Sequence, residues 1–520
     1  MTSPSEKGPL AAKELLAAGE QLDRRTVPAS ALGAGGAVAA AAVPTGIGLR
    51  IGDVSWGWTL TWLIGGTLLL TAAAAVIEWI RLRCTRFRIG DERAEYVVSL
   101  LATKRTSLPR ERIRTVDITA NPAQRWLGVA DIRMGTGDPN GDITLKSIDA
   151  VRAETLRREL LRRVPDGDAA VLDDGTAREV GELARFRIGW IRFAPISFWT
   201  PVLGAGAFGV VLQVANWFGA ENVVLRWISD RFEDVPLLAE IGILAVVALL
   251  VGAVASLAVF TEAWWQYTLE REPDGSLRIR RGLLIRRSTT FEERRLRGLV
   301  LVRPLGLRIA GAARLDVLAT GLQQQDDDSK ASEPDTLMPA APLAVTVGVA
   351  HAVLGDPVLD PDRPLIAHPP AARRRRWVRA AVAVLAVTGG LLLLGALLTE
   401  VLSWSALALL LPSAAFAAWS AADNYAGLGH RTTERYVLLR SGSVSRRTVA
   451  LSRAGLLGWN LRQSPLQRRA GLVTLIASTA AGDGALRLPD VGTGQAVELL
   501  ADTAPEWRHL TSGNFRRPPV

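Results

Sequence analysis

Six stretches of this chain are long and apolar enough, or nearly so, to form helices that cross a bilayer, and that narrows the fold more than any other feature. A helix needs about 20 apolar residues to cover roughly 30 Å of hydrocarbon. The stretches are residues 31–49 (Ala/Gly-rich and the weakest), 57–77, 193–218, 235–260, 377–398 and 401–419. Buried helices of a soluble protein rarely run this far without a polar stripe. Pro44, Pro195, Pro201 and Pro412 interrupt them, which membrane spans tolerate better than soluble helices do. Trp56, Trp58, Trp217, Trp377, Trp404 and Trp419 fall near their ends, where amphipathic rings favour the interface.

Short connectors join the stretches into three expected helical hairpins. Arg81, Arg83, Arg86 and Arg88 follow the second stretch, Arg185, Arg187 and Arg192 precede the third, and Arg373 to Arg376 precede the fifth. The longest connector, GAENVVLRWISDRFEDV, has two arginines against four acids. Basic residues mark the cytoplasmic side. Both termini and the soluble segments are therefore expected in the cytoplasm, on a multi-pass protein of the plasma (inner) membrane. The polar tail before residue 31 is too long for the basic start of a cleaved signal peptide. Lysine occurs only five times while arginine, alanine and glycine abound, as in GC-rich bacterial coding.

Each hairpin is followed by short period-two alternations such as CTRFRI, AEYVVS, IRTVDI and VADIRM. That patterning marks antiparallel strands buried on one face. In the first segment a helix follows, IDAVRAETLRRELLRRV, with Ala153, Leu156, Leu160 and Val164 on one face and Arg152, Arg158 and Arg162 away from it. Strands closed by one amphipathic helix read as a small barrel or sandwich. The order returns twice, with turns GDER, PDGS and RSGS at corresponding places. The expected layout is a tail (1–30), hairpin 1 (31–80), module 1 (81–164), linker (165–188), hairpin 2 (189–263), module 2 (264–355), linker (356–373), hairpin 3 (374–422), module 3 (423–508) and tail (509–520). Within module 2 the acidic, Pro/Ser-bearing run 323–342 reads as a flexible loop.

One phrase recurs. NPAQRWLGVA (121–130) precedes DIRMGT, SPLQRRAGLV (464–473) precedes TLIAST, and RPLGLRIAGAARLDVLAT (303–320) is a blurred copy with one more residue between Pro and Gly. Pro122, Pro304 and Pro465 end the preceding strand, and Gly128, Gly311 and Gly471 permit a tight bend before the next. Between them stand Arg125, Arg308 and Arg468, placed to pair with lipid phosphates or with local carbonyls. A purely structural turn that shapes the module is the reading the phrase favours over a binding role.

With these motifs the chain resembles bacterial membrane proteins with repeated pleckstrin-homology-like (PH-like) domains, of the YdbS/YdbT type. The phrase looks like that family's (S/N)-P-x-Q-R-x-x-G-(L/V) segment, and the second copy departs from it. The resemblance implies an α+β, multi-domain membrane protein with six transmembrane helices in three hairpins. Each hairpin would carry a partly open PH-like β-barrel capped by a C-terminal helix. It implies no activity.

The residues point to no chemistry either. Cys84 is the only cysteine, and His351, His368, His430 and His509 show no ligand spacing, so no metal and no cofactor is expected. No phosphate loop, HExxH or GxSxG occurs. GTGDPNGD reads as a hairpin loop, and Asp138, Asn140 and Asp142 lack the glutamate that ends a calcium loop. The formal charge of +10 follows the membrane boundary, which argues against nucleic acid. The expected partners are membrane lipids and a protein, one candidate being a second PH-like membrane protein. The expectation is a non-catalytic binding or scaffolding protein. The rival is a small-solute or lipid transporter gated by the modules, with a mid-membrane path along Glu240, Gln213 and Asn216.

Overall fold

The computed structural model describes residues 20–51, 55–90, 92–99, 103–113, 115–136, 142–161, 180–196, 199–217, 221–232, 235–319, 336–361, 363–481 and 484–503. The chain forms two compact units, Met1–Glu293 with Gln325–Ser332, and Arg294–Gln324 with Glu333–Val520. The division falls inside the segment 264–355.

Unit 1 begins with two apolar helices, α1 (Thr26–Ile51) and α2 (Trp56–Cys84), which pack on each other. The sheet β1 (Thr85–Ile89), β2 (Arg93–Ser99) and β3 (Thr103–Pro109) follows, in that spatial order. Next come β4 (Thr115–Ala120), the short helix α3 (Pro122–Leu127), β5 (Val129–Gly135), β6 (Ile143–Asp149) and helix α4 (Ala150–Leu161). Phe87, Val116, Ile132, Leu145, Ala153, Leu156 and Leu160 share one buried core, so the two sheets and α4 form a sandwich. The expected face of α4 is buried as far as it is described; Val164 and Arg162 lie outside the described residues.

Beyond β7 (Gly181–Arg185) and a 3-10 helix (Ile188–Ile196) come α5 (Trp199–Trp217), the amphipathic α6 (Glu221–Phe232) and α7 (Leu237–Trp264). Strands β8 (Thr268–Arg271), β9 (Ser276–Arg281) and β10 (Arg286–Glu292) complete the unit. They do not form a sheet of their own. β10 pairs antiparallel with β4, giving one seven-stranded sheet in the order β6-β5-β4-β10-β9-β8-β7. The second half of the first repeat and the first half of the second repeat are thus one sheet.

Unit 2 repeats the arrangement. β11 (Leu296–Pro304), α8 (Leu305–Ile309), β12 (Ala312–Ala319), β13 (Thr336–Pro342) and α9 (Leu343–Leu354) are followed by the apolar pair α10 (Pro370–Leu397) and α11 (Glu400–Ala426). Then come β14 (Gly429–Thr432), β15 (Tyr436–Ser441), β16 (Ser445–Ser452), β17 (Leu456–Arg462), α12 (Pro465–Arg469), β18 (Leu472–Thr479), β19 (Ala485–Gly492) and α13 (Thr493–Thr503). β11 pairs antiparallel with β16, so β13-β12-β11-β16-β15-β14 is again one sheet across two repeats. β17-β18-β19 stands as a three-stranded sheet, and Val437, Leu451, Trp459, Leu475 and Leu499 lie in one core.

The repeat starts earlier than its apolar hairpin. Glu20 bridges the outer edge of β1 at Phe87, β7 pairs with β8, and Ile366 bridges β14 at His430. A segment upstream of each hairpin thus covers the outer edge of the sheet that follows it.

Several expectations change. The barrels are open: among the described residues no sheet closes, because β4 and β11 donate their free edges to the neighbouring repeat instead of curling back. Of the six expected spans, four are long and apolar enough to cross a bilayer: Trp56–Cys84, Ala239–Trp264, Pro370–Leu397 and Glu400–Ala426. The third, 193–218, is broken, since Ile188–Ile196 and Thr200–Asn216 meet at 78°, and it counts as a fifth span only if the bent pair is one. Pro195 and Pro201 flank the break, where missing N–H groups and ring clashes disfavour a continuous helix. Within α1, Thr26–Ala39 is apolar, and most side chains beyond it lie outside the described residues, so the expected span 31–49 is neither met nor overturned. The run 323–342 is not all loop: its end is strand β13, with Leu337, Met338 and Ala341 buried. The two prolines of TLMPAAP hide that alternation. The first part of that run, through residue 335, and the tail 509–520 lie outside the described residues.

Large apolar side chains cover the outside of the long helices. Leu69, Leu250, Leu385 and Leu411 are all exposed. Apolar surface of that extent needs lipid or protein against it, so the chain is a membrane protein.

Candidate functional site

The recurring Pro phrase folds into a short helix locked at both ends. Asn121 accepts a hydrogen bond from the backbone N–H of Gln124 (2.8 Å), while Gln124 Oε1 accepts from the Asn121 N–H (3.0 Å). Ser464 and Gln467 form the same reciprocal pair at 3.2 and 3.0 Å. This is a capping box that satisfies two orphan donors, and Pro122 and Pro465 occupy the first helical turn, where no N–H is needed. Gly128, Gly311 and Gly471 all take the left-handed conformation, with φ of 73°, 66° and 63°. Their carbonyls accept from the first residue of the later helix, Ala150 N–H, Leu343 N–H and Thr493 N–H at 2.9, 2.9 and 3.1 Å.

The glutamine has a second task that the sequence did not disclose. Gln124 Nε2 donates to Asp131 (2.8 Å) and Ser147 (3.4 Å), and Gln467 Nε2 donates to Thr474 (2.8 Å) and Asp490 (2.9 Å). The partners lie 7 and 23 residues on in both copies. Ser147 and Asp490 both have positive φ, 50° and 60°, so the glutamine pins a strained bend in the last strand. Around that bend the sheet meets the end of an apolar helix. Thr26, at the start of α1, donates to Ser147 O (3.3 Å). Arg375 and Arg376, in the first turns of α10, pair with the fully buried Asp490.

The three candidate arginines have different fates. Arg125 Nη1 donates to Leu283 O (3.0 Å), a carbonyl in the β9–β10 turn. Arg308 makes a two-pronged pair with Asp423 near the end of α11, 3.1 Å on each side, so its charge is consumed within the fold. Arg468 is exposed at the surface of α12. The β9–β10 and β15–β16 turns are held alike. Glu262, at the end of α7, accepts from the N–H groups of Leu284 and Ile285 (both 3.0 Å), and Asp423 accepts from Ser443 Oγ (3.0 Å) and Arg446 (2.8 Å).

A cavity of about 720 Å³ opens in unit 1 beside α3. Arg125, Arg278 and Arg286 line it, with Trp126, Glu154 and Ile118. Trp126 is 80% exposed, and the neighbouring turn presents Leu284 and Ile285 outward. Beneath it, α4 is clamped onto β8 and β9. Arg157, 1% exposed, pairs with Glu154 (2.8 Å) and Glu272 (2.9 Å), and Arg278 pairs with Glu154 (2.7 Å) and Glu272 (3.3 Å). Burial pushes the Glu154 carboxyl up, but the hydrogen bonds from Arg157 and Arg278 outweigh it and leave its pKa below the usual range. Arg157 escaped the sequence reading, although it stands four residues after Ala153 on the stripe that is buried.

On the opposite face of that sheet, burial raises the pKa of Asp117 against a hydrogen bond from Thr289. Arg281, stacked 4.2 Å over Trp264, is lowered by burial to about 10. Asp142 pairs with Arg133 (2.9 Å) beside the loop read as a hairpin, so it is not presented to a cation; residues 137–141 lie outside the described residues. Among the described residues no group of three His, Cys, Asp or Glu is placed to hold a metal ion.

Open sheets backed by one helix, repeated and interleaved with apolar helices, define a membrane-anchored array of small β modules. The family model of the bacterial PH domain matches residues 38–164 and again residues 380–504, so the chain carries repeated PH-like domains. No curated protein and no solved structure matches it.

Proposed function

We propose that the chain is a multi-pass plasma-membrane protein whose PH-like modules are binding and scaffolding units on the cytoplasmic face, without catalysis. In this reading three apolar hairpins anchor the modules, and six helices span. Basic residues cluster where the sheets meet the helices, the side the positive-inside rule assigns to the cytoplasm. The observation that carries the reading is the cavity beside α3. Arg125, Arg278 and Arg286 with an outward Trp126 suit a phosphate-bearing group at the membrane surface. Each basic residue near an anionic leaflet contributes on the order of 1 kcal/mol. Replacing Arg125 and Arg286 with alanine should then reduce retention of anionic lipid by the full chain by roughly tenfold or more. Lipids co-purified in nanodiscs and counted by native mass spectrometry measure it. Retention unchanged by the double variant and by added salt would remove the headgroup role.

The transporter alternative draws on the break before α5. Gln213 and Asn216, the polar residues such a path would use, are exposed on α5 and not turned into the helix pair. That favours the scaffold. A protein partner, possible through a second PH-like chain, remains part of the proposal.

A further inference from the structure

Each repeat carries two complementary sheet edges, and the chain uses each kind twice. The first strand of a repeat's second half (β4, β11) pairs with the third strand of the next repeat's first half (β10, β16). Three repeats therefore leave one edge of each kind over. These are β3, the third strand of the first half of repeat 1, and β17, the first strand of the second half of repeat 3. Both are edge strands, and among the described residues neither has a second strand beside it. An open edge is a template for another strand.

The two existing junctions share one register. Counted from the left-handed glycines, Ile118 and Leu301 hold the same position, ten residues before Gly128 and Gly311, and they pair with Ser288 and Thr448. Ser288 and Thr448 each stand six residues after the glycine of their turn, Gly282 and Gly442. Repeat 1 has no glycine in that turn, but its hairpin pairs Ser99 with Thr103 in the register that sets Gly282 against Arg286 and Gly442 against Arg446. With Ser99 in the glycine's place, Thr106 of β3 falls opposite Asn460 of β17, as Thr289 lies opposite Asp117 and Val449 opposite Val300.

A second observation points to an occupant. β11 and β17 carry the same bulge, between Leu296 and Gly298 and between Leu456 and Gly458. At Gly298 a Cβ would stand 2.1 Å from Ala450 O, so the close approach of β16 requires glycine there. At Gly458 a Cβ would meet nothing within 4 Å. The seat for a neighbouring backbone is built and open.

We propose that β17 of one chain pairs with β3 of a second copy, continuing the sheet from molecule to molecule. Because the two edges differ, the association is head-to-tail. The like charges it brings together, Lys104 opposite Arg462, have a precedent in the junction between β11 and β16, where Arg303 lies opposite Arg446. Both edges belong to sheets anchored by apolar helices, so the copies meet within the plane of one membrane.

The test uses two full-length chains with different tags, both Cys84→Ser, one carrying Thr106→Cys and the other Asn460→Cys. Co-expressed and mildly oxidised in native membranes, they should give a disulfide-linked heterodimer, since directly opposed antiparallel residues lie within disulfide reach. Neither chain alone should give more than a trace. Thr103→Cys, three residues out of register, should link at least fivefold less. Gly458→Val in the Asn460→Cys chain should cut the yield by a similar factor while leaving the melting temperature unchanged. No heterodimer, equal yield out of register, or indifference to Gly458→Val would each overturn the pairing.

Discussion

The two composite sheets are built alike but held by different chemistry. In unit 1 the position beneath the junction is ionic: Arg157, Arg278 and Thr290 are buried, and the two arginines pair with the half-buried Glu154 and Glu272. Counting from the shared helix starts and turn glycines, the same three positions in unit 2 are Ala350, Leu438 and Ala450, all buried. One backbone junction thus accepts either a satisfied charge cluster or plain hydrocarbon. The backbone pairing between repeats is the common element, and the side chains beneath it are local solutions. Buried ion pairs seldom add stability over a well-packed apolar substitute, yet removing one partner is expensive.

That contrast can be broken most sharply at Arg157. Arg157→Ala should destabilise unit 1 by about 1–3 kcal/mol, because it removes the buried partner of two half-buried carboxylates and leaves both to Arg278 alone. Hydrogen exchange of residues 150–161 should accelerate while residues 343–354 stay protected. Replacing Glu154, Arg157, Glu272 and Arg278 together with apolar residues should recover most of the loss, to within about 1 kcal/mol. If the single variant is silent, the cluster is not the clamp described above.

Unit 2 should be the acid-sensitive one through its histidines. His368 Nδ1 donates to Asp490 O (3.0 Å), and its ring faces His430, their ring centroids 5.5 Å apart. Burial first and the His430 charge second lower the His368 pKa from 6.5 to about 4, and burial lowers that of His430. Both folded values lie below the unfolded one, so the unfolded chain takes up the extra protons. Stability is full above pH 6.5 and falls as the pH drops toward 4, by on the order of 2–3 kcal/mol. His368→Gln should flatten that slope in a urea titration of unit 2 peptides followed by hydrogen exchange. An unchanged slope would exclude His368 as its source.

Smaller effects probe the Pro phrase. Gln124→Ala and Gln467→Ala should each cost about 1–3 kcal/mol, since each leaves buried groups unpaired. Arg468→Ala, at an exposed position, should stay within about 0.5 kcal/mol in the same melting assay. A large loss there would show that Arg468 has a structural partner.

Much of this was legible in the sequence, and the part that was not has a physical cause. Period-two alternation and the apolar stretches located most strands and the long helices, because each pattern reflects burial along one element. The Pro phrase was read as a turn, and it folds as a short helix followed by a left-handed glycine. The fates of Arg125 and Arg308 were not legible, because their partners, Leu283 and Asp423, come from other repeats. Nor was the joining of β4 to β10, since an edge strand that donates to its neighbour has the same alternation as one that curls into its own barrel. Arg157 could have been found: an arginine on the apolar stripe of α4 calls for buried acids. Thr336–Pro342 was missed because its prolines mimic a loop, although an edge strand tolerates them.

The sharing of sheets between successive repeats is tested most directly by disulfide trapping across the junction in unit 2. With Cys84→Ser, Val300→Cys and Val449→Cys in one chain, mild oxidation of native membranes should link the pair within single chains. The link should vanish when Val449→Cys is replaced by Leu451→Cys, two residues out of register. If Val300→Cys and Val449→Cys stay reduced while the chain remains folded, β11 closes on its own repeat and the composite sheet does not exist.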